Sequence, residues 1–220
     1  KGSPDYVSGY PSYVGKQQQQ WLAREWKLAD QPVLILSHQP LAGRSAIDNA
    51  SEIHELLARY RDKIVVCING HSHVDSMLLV DGVTYLHINS ASYYWVGGEK
   101  RMAYYEAPLF TTLTVDPANS IVFVEGKSTK WVTGDSPAEI NYFDREHAPP
   151  ETMVTPAIRA RQIVGPVSPE KMTKTWPTGF GPAAQNRTQA QLFSDDRSTE
   201  SLKVMTWNIW GRLNQDPRYT

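Results

Sequence analysis

Three histidines in this chain stand where they could do chemistry together. Asn69-Gly70-His71-Ser72-His73 carries two imidazoles two residues apart, and Ser37-His38-Gln39-Pro40 carries a third. Neutral imidazole is a common metal ligand, and it suits Zn, Fe, Mn or Ni better than Mg or Ca. Two histidines at i and i+2 on a loop face different directions, so a single ion rarely takes both. Two ions about 3.5–4 Å apart can take one each, and two-metal hydrolases use that spacing to clamp both oxygens of an in-line displacement at phosphorus. Gly-His-x-His alone is a weak signal, and His38 strengthens it. Gly70, without a Cβ, would permit a tight turn and positive φ.

The elements that must hold these residues are legible on either side. Ile64-Val65-Val66-Cys67-Ile68 and Val33-Leu34-Ile35-Leu36 are short, apolar and β-branched, and they read as buried strands. Each ends in histidine, and open α/β sheets gather ligands at the C-terminal ends of their strands. Residues 16–29, with Trp21, Leu22, Glu25 and Trp26 at i and i+4 spacing, predict a helix that Gln31-Pro32 terminates. Ile53, Leu56, Leu57 and Tyr60 form the stripe of a second helix. Asn49 and Glu52 have capping-box spacing at its start, and His54 falls off the stripe, which places it at the surface. Helix, strand, loop, helix, strand is the alternation of an α/β layered domain.

Past residue 73 the pattern turns antiparallel. Residues 77–80 and 83–88 flank Asp81-Gly82, a type I′ hairpin signal, and residues 109–115 and 121–124 read as a second hairpin. His87 lies on what reads as a polar strand face, alternating with Leu86 and Ile88. Between the hairpins, Asn89 to Gly98 reads as a loop, and its Tyr93, Tyr94 and Trp95 are candidate substrate contacts. From residue 134 to about 200 prolines punctuate the chain and no apolar period persists, as in an extended linker or a tail draped over a domain.

Composition narrows the partners. The chain has 220 residues, a net charge of -1, 40% hydrophobic and 20% charged residues. These are ordinary values for a globular protein, with no basic footprint for nucleic acid and no polybasic surface for membranes. No run approaches the roughly 18 apolar residues of a membrane span. The lone Cys67 sits inside an apolar strand and reads as a small buried hydrophobe. The chain starts at a lysine and ends soon after a strand-like run, so it reads as an internal fragment of a longer protein.

Leu34-Ile35-Leu36-Ser37-His38-Gln39-Pro40 followed by Asn69-Gly70-His71-Ser72-His73 resembles the last two motifs of the calcineurin-like metallophosphoesterase superfamily. Gln20-Trp21-Leu22 is similar to the helix that precedes them there. The resemblance implies an α/β fold, the C-terminal half of an αββα sandwich over residues 1–133. It implies two divalent transition metals (Mn, Fe, Zn or Ni), with His38 and His71 on one ion and His73 on the other. The family's earlier motifs, an Asp-x-His, a Gly-Asp with the bridging aspartate and a Gly-Asn-His, are absent from the chain. Three histidines without that carboxylate make a poor dinuclear site, so the chain alone is expected to be inactive or nearly so.

Leu202-Lys203-Val204-Met205-Thr206-Trp207-Asn208-Ile209-Trp210-Gly211 is similar to the opening strand of the endonuclease/exonuclease/phosphatase superfamily. Residues 201–220 would then begin a second domain after a Pro-rich linker over 134–200. Asn208 is the catalytic residue this implies, with Mg as that domain's cofactor. Proteins with this domain pair resemble exported bacterial hydrolases.

The function implied is hydrolysis of a phosphate mono- or diester, the substrate being a phosphate-ester small molecule or a nucleotide. A non-catalytic ligand-binding module on a degenerate metallophosphoesterase scaffold is the alternative. A mononuclear histidine site would need an acidic ligand, and Asp75 is the only close candidate.

Overall fold

The computed structural model describes residues 12–43, 45–97, 101–137, 154–166 and, as backbone, 203–207. Among them the chain is mixed α/β, with two helices and several sheets. Helix α1 runs Lys16–Leu28, strand β1 Val33–Ser37, helix α2 Ala50–Ala58 and strand β2 Ile64–Asn69. The hairpin of β3 (Ser76–Val80) and β4 (Val83–His87) follows. Asp81 and Gly82 have φ of 51° and 81°, the paired positive values of a type I′ turn. β2 lies parallel to both β1 and β4, while β3 closes the sheet antiparallel to β4.

Alternation along these strands sorts their side chains to two sides. Val33 and Ile35 of β1, Ile64 and Cys67 of β2 and Val83 and Tyr85 of β4 pack with Leu22, Trp26, Ile53 and Leu57 of the helices. Leu34, Val65, Val66, Ile68 and Leu86 pack on the opposite side. Val65 and Val66 share that side because the β1–β2 register slips by one residue between Val33 and Leu34. The backbone at Gly165 closes on this irregularity, and a Cβ there would stand 2.9 Å from Val65 Cγ1 and 3.0 Å from its Cα.

The second side is covered by antiparallel strands. β5 (Tyr93–Gly97) pairs with β6 (Arg101–Tyr104), and β7 (Leu113–Asp116) with β8 (Ile121–Val124). β9 (Lys127–Ser128) pairs with β10 (Ala157–Ile158), and β11 (Arg161–Val164) pairs with β8. Leu109, Val122, Val124, Ile158 and Ile163 complete the core against the main sheet. The helices thus pack on one side of the five-stranded sheet, and residues of the β11-β8-β7 sheet pack on the other.

The loop expected between the two hairpins needs correction. The stretch from Asn89 to Gly98 is not all loop, since residues 93–97 form β5. Its aromatic residues Tyr93, Tyr94 and Trp95 stand opposite Tyr104, Ala103 and Met102 of β6, and the register shifts between Trp95 and Gly97. Residues 154–166, inside the proline-punctuated stretch, contribute β10 and β11 to the small sheets. Lys203–Trp207 forms β12, parallel to β1, so the outer edge of β1 is paired.

Asn49 occupies the N-cap position of α2 but makes no side-chain cap. Its amide is spent on the chain before α1, accepting from Val14 N–H at 3.1 Å and donating to Val14 O at 3.0 Å. Glu52 accepts from Lys16 Nζ at 2.8 Å, from Gln19 Nε2 at 2.9 Å and, more weakly, from Asn49 Nδ2 at 3.3 Å. The end of α1 is capped from afar, Lys63 Nζ donating to the carbonyls of Trp26, Lys27 and Ala29. His54 is not simply solvated. Its Nε2 lies 2.7 Å from Leu41 O, and its ring meets Tyr85 edge-on at 5.6 Å.

Candidate metal centre

β1 and β2 are parallel, and in register Ser37 stands beside Asn69, so both chains leave the sheet on the same side. The two exits are tied together. Gly70 N–H donates to His38 O at 3.2 Å, and Asn69 Nδ2 donates to Gln39 O at 3.5 Å. Ser37 Oγ donates to the same Gln39 carbonyl at 2.7 Å. The His38 and His71 rings consequently meet edge-on, with centroids 5.3 Å apart and planes at 75°.

Gly70 does not supply the left-handed backbone. That conformation falls on His71 and His73, with φ of 62° and 55°. A Cβ on Gly70 would make only ordinary contacts, at 3.6 Å from His38 O and 3.7 Å from its Nδ1. L-residues resist this region by about 1–2 kcal/mol each, and such strain collects at functional sites. Here it folds residues 70–73 tightly, with Ser72 N–H donating to Gly70 O at 2.6 Å. His71 thereby meets His38, while His73 meets Tyr93 edge-on at 5.0 Å.

The environment favours the neutral form of His71 and His73. Burial, and then the nearby His38, lower the His71 pKa below its ordinary value. Burial, His71 and His38 together lower that of His73 to about 4. Neutral imidazole is the form that binds metal.

Beneath the turn lies a layer of buried polar atoms. Ser72 Oγ is 3.4 Å from His87 Nδ1. His87 is buried, not part of a polar face, because β4 is an inner strand covered on both sides. Burial lowers its pKa. The sequence signal for this residue was its phase with Val83 and Tyr85, which both point into the helix-side core. His87 Nε2, His73 Nδ1, Asn69 Oδ1, Gln39 Nε2 and Asn89 Oδ1 have no hydrogen-bond partner among the described residues. Buried polar atoms are rarely left so; Ser12 Oγ, Trp26 Nε1 and Tyr85 Oη share that state away from the turn, while these five lie at or just past the ends of β1, β2 and β4.

Asp75 closes the mononuclear reading. Its carboxylate accepts from Arg161 Nη1 and Nη2, each at 2.6 Å, and from Arg159 Nε at 2.8 Å. Burial would raise its pKa, but the hydrogen bonds from Arg161 and Arg159 prevail and hold it below the ordinary value. A carboxylate so engaged is not available to a metal.

The candidate substrate residues divide. Tyr93 stands against His73. Trp95, two residues on, is 46% exposed. Tyr94, between them on the opposite side of β5, is buried with Val96, Ala103 and Val154 in a core cluster. Asn208 lies outside the described residues.

Among the described residues no group of three or more His, Cys, Asp or Glu side chains is arranged to hold a metal ion. The histidines form a pair, His38 with His71, and a single member, His73. As a donor set they fit the nitrogen share of a transition-metal site: His71 and His73 favour the neutral form and sit at a strained turn, and His73 has a buried nitrogen unpartnered. They do not supply its carboxylate share.

No protein-family model matches the chain, and no curated protein is significantly similar to it.

Proposed function

We propose that His38, His71 and His73 are the imidazole ligands of a dinuclear metal site that hydrolyses phosphate mono- or diesters. The scaffold would be a calcineurin-like metallophosphoesterase αββα sandwich. His38 and His71 would hold one divalent transition metal and His73 the other. The observation that carries this reading is the 70–73 turn, which puts two successive site histidines in left-handed backbone and delivers one of them to His38. Two bound metals supply Lewis acidity and a water of lowered pKa. The chain's own part is to present imidazole nitrogens from the ends of β1 and β2.

No carboxylate joins the three histidines among the described residues. The chain by itself should therefore turn over phosphate esters slowly or not at all. Assay of the 220-residue chain with Mn2+ and a chromogenic phosphodiester tests this. Brisk hydrolysis abolished by His73→Ala would show that the chain's own ligands suffice and would overturn the incomplete-site part of the reading.

The exposed aromatic face beside His73 favours a second reading, a binding module on the same scaffold without catalysis. Ligand binding that is indifferent to metal would select it.

A further inference from the structure

The β5–β6 ribbon has one face built for planar rings, and it abuts the histidine turn. In antiparallel register Tyr93 stands opposite Tyr104, and Trp95 opposite Met102. Period-two alternation puts all four on one face. The other face, Tyr94, Val96 and Ala103, is buried in its own core cluster. On the outer face Tyr93 and Tyr104 are in ring contact, with centroids 6.1 Å apart, and Tyr104 Oη approaches Met102 Sδ at 3.8 Å. Trp95 is 46% exposed and Tyr104 41%, an unusual outlay of aromatic surface for a strand pair.

The location gives this surface its meaning. Tyr93 is at once a member of the aromatic face and the ring in edge contact with His73, at 5.0 Å. The face is therefore continuous with the histidine turn. A group held at His73 would lie beside the Tyr93 end of the strip.

We infer that this strip is the subsite for the organic half of the substrate, and that the substrate is the phosphate ester of a nucleoside. The inference rests on the phosphate-ester reading of the histidine site. Two features select a nucleobase over an alkyl chain. The strip is Tyr, Trp and Tyr with a single Met, and rings of this kind stack on flat π-faces. Among the described residues it is also an open face on a two-stranded ribbon, with Trp95 and Tyr104 exposed, and a base can lie on such a face with its polar edges still in water. The polar rims of Tyr93 and Tyr104 suit a ligand that is half wet.

The test is calorimetric titration of the Mn2+-saturated full chain with AMP, ribose 5-phosphate and adenosine. AMP should bind about tenfold or more tightly than ribose 5-phosphate, the step expected when one base gains an aromatic partner. Trp95→Ala and Tyr104→Ala should bring that ratio close to one, and Trp95→Phe, which keeps a flat ring, should restore most of it. Equal affinity for AMP and ribose 5-phosphate, with both lost in His73→Ala, overturns the nucleoside subsite and leaves the phosphate site standing. Adenosine binding as well as AMP, in a manner dependent on Trp95 but not on His73, supports the subsite and overturns the phosphate-ester reading. No binding of any of the three overturns both.

Discussion

Arg161 grips Asp75 with both arms of its guanidinium, Nη1 to Oδ1 and Nη2 to Oδ2, each at 2.6 Å. The carboxylate is 1% exposed and the arginine side chain 11%. Arg159 adds a third side-chain donor to the same carboxylate and a bond to the Asp75 carbonyl. Asp75 lies two residues beyond His73, so this cluster anchors the exit of the histidine turn to the β10–β11 segment.

Removing one partner of a buried pair leaves the other charge stranded, which typically costs about 3–5 kcal/mol. Arg159 remains in Arg161→Ala and offsets part of this, so a loss of about 2–3 kcal/mol is expected on that scale. Arg161→Lys keeps the charge but not the fork and should recover only a fraction. Urea midpoints at pH 7 check both. An unchanged midpoint in Arg161→Ala would mean that the cluster does not secure the fold.

The left-handed histidines trade stability for position. As a whole residue His71 is exposed, with φ 62°, although its ring is partly covered beside His38, so truncation loses that ring contact but no core packing. Replacing it by glycine should relieve about 1 kcal/mol of backbone strain. His71→Gly is thus expected to unfold at the same urea concentration or higher, while losing metal affinity. A clear loss of stability would mean that the turn is not strained.

Protonation should loosen the metal-free chain. The folded pKa values of His71, His73 and His87 are all lowered, by burial first and, for the first two, by neighbouring histidines. The unfolded chain therefore binds more protons below the ordinary histidine value of about 6.5. Stability from these groups is fully present above that pH and is lost as pH falls toward about 4, the folded value of His73. Urea midpoints should decline from pH 6.5 to 4.5, and less steeply in His73→Asn. A flat profile across this window would contradict the burial assigned to these rings.

Sequence reading found what short-range periodicity encodes. Strands β1, β2 and β4, both helices and the Asp81-Gly82 turn follow from apolar spacing and turn chemistry, and with them the shared exit of His38 and residues 70–73. It missed what depends on distant pairing. β10 and β11 are short segments whose edge partners lie some way back in the chain, so no local pattern marks them. Asp75 looked like a spare acid because its two arginines lie at separations of 84 and 86 residues. His87 looked polar-facing because alternation alone does not say which side of a strand is covered. The positive φ was expected at Gly70, the residue that tolerates it best, and the structure puts it on the two histidines.

The central claim is that His38, His71 and His73 act together on metal, and Co2+ titration followed by visible absorption tests it most directly. Ligand-field bands report the number and kind of donors, without any need for turnover. The account predicts saturable binding with bands of nitrogen–oxygen coordination. His38→Ala and His71→Ala should alter those bands alike, because both remove the same ion, and His73→Ala should leave a distinct spectrum belonging to the other. A Co2+ spectrum and affinity unchanged by all three substitutions would contradict the account.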